Sequence, residues 1–182
     1  MEITSKQILK ILYVLSWIIF IGLCIEAGAF IFNAIYTVSV NPSAANNLFN
    51  KTNLSNLYSH DSGYFLVIIL IMCIVTVLKA IMFYLIVKIL HENKINLSQP
   101  FTAEFGRFIF NLFYLSLGIG CFSNGGKRYA EWLVGQGVEM PNVESMHLGG
   151  DDVWLFMAVI LFVIAHVFKR GIEIQTENEL TV

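Results

Sequence analysis

The chain has 182 residues, of which 57% are hydrophobic and only 13% charged, with a formal net charge of −2 at pH 7. Soluble domains average ~45–50% apolar and ~25% charged residues. The balance therefore argues against an ordinary water-soluble domain, and the near-neutral charge gives no basis for direct nucleic-acid binding.

The chain opens on MEITSKQILK, where Thr4 and Gln7 fit a capping box. Lys6 and Lys10 precede a long apolar run. Ala27-Gly28-Ala29 resembles a small-residue cleavage site, but the apolar character continues through Phe30, Ile31, Phe32 and Ile35. An uncleaved first span over about 11–40 is expected. Tyr13 and Trp17 suit the headgroup level, where amphipathic rings collect. Gly22, Glu26, Ala29, Asn33 and Thr37 recur every three or four residues. They share one small, polar helical face, expected to point into protein.

Residues 41–63 read as an Asn- and Ser-rich loop broken by Pro42. Asn50-Lys51-Thr52 and Asn53-Leu54-Ser55 match glycosylation sequons but read as chance in so Asn-rich a stretch. The second span, about 64–90, is almost wholly apolar and long enough to cross ~30 Å of hydrocarbon. In that medium the backbone must satisfy its own polar groups, which a helix does. Lys79 interrupts it, at an insertion cost of roughly 2.5–3.5 kcal/mol that some partner must offset. Cys73, Thr76, Lys79 and Phe83 form its most polar face. Cys24, Cys73 and Cys121 lie in apolar runs with neither zinc nor CxxC spacing, and read as small packing residues.

A short charged turn, His91-Glu92-Asn93-Lys94, leads into NLSQPFTAEF. Pro100 disfavours helix at Gln99. Thr102 is the expected N-cap, with Glu104 in the first turn near the positive end of the helix dipole. The third span, about 105–122, carries Arg107 and Asn111 at its start and Gly118 and Gly120 near its end. Residues 123–152 are expected to be a solvated loop with local turns. The competing expectation is a surface helix in KRYAEWLVGQGVEM. The fourth span, about 153–168, has Trp154 and Phe168 as end anchors. Polar residues continue at helical spacing through His166, Arg170, Glu173 and Glu177, so this helix should run on into the tail 169–182.

The expected fold is all-α, a four-helix transmembrane bundle with both termini cytoplasmic, forming a single integral membrane domain over 1–182. Lys6, Lys10, Lys88, Lys94, Arg107, Lys169 and Arg170 fall at the termini or in the middle turn. Cationic flanks resist translocation, which sets this orientation. Depth counted at ~1.5 Å per residue puts Lys79 roughly 22 Å below the outer edge, Glu26 about 22 Å and His166 about 20 Å. Glu26, Lys79, His166 and Asn111 are therefore expected to meet in a buried polar layer. Such a layer serves either as an ion, proton or ligand site or as a structural ion pair fixing helix register.

No HExxH, phosphate-cradling glycine loop or GxSxG occurs. No enzyme, catalytic residue, metal or cofactor is expected. Asp151-Asp152 after Gly149-Gly150 suggest a turn and helix start, His60-Asp61 is a weak metal signal, and His147 has no sequence-near ligand partner.

Two stretches resemble one family. NLSQPFTAEFGRF is similar to the Pro-Phe turn followed by Arg in small bacterial membrane proteins of domain-of-unknown-function family 2975. FVIAHVFKRGIEIQTENELTV resembles that family's ending: Phe168, a basic pair, Gly171, an acidic stretch, then Glu179-Leu180-Thr181-Val182. His166 departs from the acidic residue expected there. The resemblance implies a multi-pass protein of the bacterial inner membrane and a cytoplasmic helix-turn-helix transcription regulator as partner. The contact surface would be 91–104 with 169–182, including Pro100, Phe101, Arg107, Arg170, Gly171, Glu179, Leu180 and Thr181. The expected function is regulatory or sensory. The alternative is a small transporter or ion-conducting homo-oligomer that uses the polar layer.

Overall fold

The computed structural model describes residues 5–49, 52–92 and 101–179. Thr4, Pro100, Leu180 and Thr181 lie outside the described residues. Among the described residues five α-helices follow in order: α1 (Ser5–Ser39), α2 (Ser55–His60), α3 (Ser62–His91), α4 (Ala103–Gly135) and α5 (Asp151–Glu179). A 3-10 turn, Pro42–Asn46, follows α1. All but α2 are long and apolar enough to cross a membrane.

Each long helix packs on the next in chain order: α1 on α3, α3 on α4, α4 on α5. Among the described residues α1 and α5, the two ends of this series, share no substantial contact. Their outer faces carry exposed large side chains such as Ile18, Ile25, Phe32, Phe156 and Val159. Those faces suit lipid, against which helices gain little from the hydrophobic effect.

Local chemistry fixes the helix starts. The Asp61 carboxylate accepts from Gly63 N–H at 2.6 Å and Tyr64 N–H at 3.0 Å, capping α3. Thr102 Oγ1 accepts from Phe105 N–H at 3.2 Å and caps α4, with Glu104 in the first turn, as its sequence position suggested. At the far end of α4, Gly137 takes φ +86°, and Val138 N–H donates to Leu133 O at 3.1 Å. A glycine there closes the helix without the cost a Cβ would bring.

The core sits at the end away from the termini. Leu48, Leu54, Leu57, Phe65, Ile68, Leu133, Val138, Met146 and Leu148 form one buried cluster with Phe30 of α1. Residues 41–63, expected as a polar loop, thus supply buried apolar side chains to a folded cap. Thr52 Oγ1 ties this segment to the second loop by donating to Ser145 O at 2.8 Å.

The largest departure from expectation is α4. Residues 123–135, expected as a solvated loop with local turns, continue the helix. At 33 residues it is about 50 Å long, well beyond the ~30 Å of hydrocarbon. Its projecting half is held by rings: Tyr129 stacks on Trp132 at 5.6 Å, and Tyr64 of α3 meets Trp132 edge-on at 5.6 Å. Residues 136–150 then turn back along this projecting half before α5 begins.

Candidate polar site

The returning segment 136–150 is anchored by Met146 and Leu148, both fully buried. Gly126 of α4 makes room for it, since a Cβ there would fall 2.8 Å from Leu148 Cδ1 and 2.9 Å from Ile71 Cγ2. Between the two anchors His147 adopts φ +59°, a left-handed conformation unusual for a residue with a side chain. That turn directs its ring toward α1. Its Nδ1 lies 2.8 Å from Glu26 Oε1, and its ring meets Phe30 edge-on at 5.4 Å. From α3, Lys79 Nζ donates to the His147 carbonyl at 3.2 Å and stands 5.9 Å from the centre of the Trp154 ring.

The structure therefore brings Glu26 and Lys79 to one place, with His147 between them. A carboxylate, an imidazole and an ammonium group meet there, each partly buried. Their joint effect is to fasten segment 136–150 to two transmembrane helices. Thr76 lies buried one turn before Lys79 and donates back to Met72 O at 3.0 Å. Of the small, polar face of α1, Thr37 is buried and Glu26, Ala29 and Asn33 partly so, while Gly22 is exposed.

Asn111 and His166 do not join this group. His166 is exposed, with Nδ1 3.0 Å from Phe162 O of its own helix and its ring 5.7 Å from Phe110. The reason is vertical offset. The start of α5 lies beside the middle of α4: Asn124 Nδ2 donates to Asp151 at 2.7 Å, and Ser116 Oγ to Trp154 O at 2.9 Å. Gly126 and Gly118 of α4 face Ile71 and Leu78 of α3. Helix α5 therefore begins roughly 15 Å deeper than α3, and counting from each helix start misaligns the levels. Phe110, beside His166, lies about 12 Å further toward the termini than Gly118. Trp154, expected at an interface, instead packs against the core.

Asn111 is exposed near the opposite end, in a cleft it shares with Arg107. At that same end Phe101 rests on α5, its ring 5.2 Å from that of Phe168. A Cβ on Gly171 would fall 2.5 Å from the Phe101 ring, so glycine admits the contact. Arg170 is exposed and donates to Glu173 at 3.0 Å, and Glu179 ends α5.

His147 is the site residue that sequence reasoning missed. The available signal was its setting: Met146 and Leu148 bracket it with apolar side chains in an otherwise polar loop. Asp151 begins α5 and is held by Asn124 and by Lys127 at 3.7 Å. Among the described residues no group of three or more His, Cys, Asp or Glu side chains is placed to hold a metal ion.

No curated protein and no solved structure matches the chain. The family model described as "Protein of unknown function (DUF2975)" matches residues 47–182, from the loop after α1 to the C-terminus. Of the polar group, Lys79 and His147 fall inside the match and Glu26 outside it. The chain, with four helices able to span a membrane, belongs to the DUF2975 family.

Proposed function

We propose that this protein is a non-enzymatic regulatory or sensory protein of the bacterial inner membrane. Both termini face the cytoplasm, and the face that bears them engages a helix-turn-helix regulator. The observation that carries the reading is the seating of Phe101 on Gly171 and Phe168. It joins, on one face, the two sequence-distant stretches that resemble the family pattern. Exposed Arg170 and Glu173 lie beside that contact and offer charge to a partner. The orientation follows from the concentration of Lys and Arg at this end. The transporter alternative draws less support, because Asn111 and His166 stand apart from Glu26 and Lys79.

The test is co-purification from native membranes. A cytoplasmic DNA-binding protein should accompany the intact chain and be lost when Ile172 to Val182 are deleted. Capture that is indifferent to this deletion, or the absence of any such protein, contradicts the reading. A C-terminal reporter active only outside the cytoplasm contradicts the orientation.

A further inference from the structure

Near the end that bears the start of α1, residues of α3 and α4 line a cleft of about 280 Å³. Its walls form layers. Leu85 and Asn111 face each other deepest, and Phe108 continues the apolar wall. Lys88 and Arg107 form the next layer, one from each helix. Glu92 and Glu104 lie one turn further toward the aqueous end, each with interactions of its own. Lys88, Arg107 and Asn111 are exposed, and among the described residues none of their three side chains has an ion-pair or hydrogen-bond partner.

The level of this cleft is set by its neighbours. Phe105 meets Phe168 at 5.2 Å, and Gly106 faces Ile172. Arg107 therefore sits level with Lys169 and Arg170, where the apolar part of α5 gives way to its charged end. Tyr13 reaches His91 at 3.0 Å, which places α1's aromatic residues at the same height. Amphipathic rings and snorkelling cations mark a membrane–water boundary. Two cations above a floor of Leu85, Phe108 and Asn111, at headgroup height, match an amphiphile with a phosphodiester above acyl chains. Basic pockets between transmembrane helices take phospholipid headgroups in this way.

We infer that the cleft between α3 and α4 is a stoichiometric phospholipid site, in which Lys88 and Arg107 hold the phosphate and Asn111 donates to an ester or glycerol oxygen. The acyl chains leave along Leu85 and Phe108. The guanidinium suits the phosphate because its planar fork gives two parallel N–H donors. This inference is independent of the regulator reading, because lipid binding is measured without a protein partner.

The experiment titrates the full chain, purified in a maltoside detergent, with short-chain phosphatidylglycerol and reads the thermal midpoint. Separate arms use monoolein, which has no phosphate, and inorganic phosphate, which has no chains. The lipid should raise the midpoint saturably, and neither control should do so. Lys88→Gln with Arg107→Gln should weaken the apparent Kd at least tenfold. Lys88→Arg with Arg107→Lys keeps both charges and should retain binding, which separates lost recognition from lost folding. Lys127→Gln with Arg128→Gln, at the other end of α4, should bind like the parent. Equal stabilisation by monoolein, equal affinity for inorganic phosphate, or undiminished binding by the Gln pair overturns the assignment.

Discussion

The imidazole of His147 lies 2.8 Å from the Glu26 carboxylate, joining a segment between α4 and α5 to the first helix across more than a hundred residues of sequence. With Lys79 on the His147 carbonyl at 3.2 Å, this contact gives Glu26 and Lys79, two groups costly at depth, a shared polar neighbour. Because the three groups share partners, their substitutions should not add. We predict a coupling of about 0.5–3 kcal/mol between Glu26→Gln and His147→Gln in a double-mutant cycle of unfolding in detergent. Additive effects would mean that the contact contributes nothing to stability.

The backbone of His147 gives a second prediction. At φ +59° a side chain is disfavoured and glycine is not. Both His147→Gly and His147→Ala lose the Glu26 contact, but only glycine relieves the left-handed strain. The Gly variant should be more stable than the Ala variant by about 1 kcal/mol in thermal or denaturant unfolding. The reverse order would place this residue in an ordinary conformation.

Met146 and Leu148 are fully buried on either side of it. Truncating either to Ala should cost about 2–5 kcal/mol, the range for large-to-small changes in a packed core. Hydrogen exchange should show the loss first in 136–150, with the middle of α3 little affected. A change under about 0.5 kcal/mol would fit a surface loop instead.

Gly126 should be intolerant of larger residues for the same reason. A Cβ there already meets Leu148 and Ile71 at under 3 Å. Gly126→Val should cost about 1–3 kcal/mol through overpacking and expose 136–150 to protease. Gly125→Val is the control, since nothing lies within 4 Å of a Cβ at that position. Equal effects at the two sites would contradict the close approach.

Much of this was legible in the sequence. Four apolar runs gave the long helices, because hydrocarbon leaves the backbone no other partner. Thr102 was readable as a cap because its hydroxyl and the following acidic residue have local work to do. That Lys79 needs a polar partner was readable from its apolar setting; that the partner is the His147 carbonyl was not. What escaped was anything set by relative height. Residues 123–135 mix charge with apolar side chains, and their packing against Leu148 and Tyr64 accompanies a helix that runs on to Gly135. The extra turns of α4 let the chain fold back before α5 begins. His166 is thereby displaced toward the termini, and His147, which lacks any sequence-near partner, takes the place beside Glu26.

The most direct measurement joins those two positions in native membranes. Cys24, Cys73 and Cys121 would first be replaced by Ser, then cysteines placed at Glu26 and His147 and treated with a short bifunctional thiol reagent. We predict an intramolecular link for this pair and none for cysteines placed at Glu26 and His166. A link for the His166 pair, with none for the His147 pair, would contradict the architecture described.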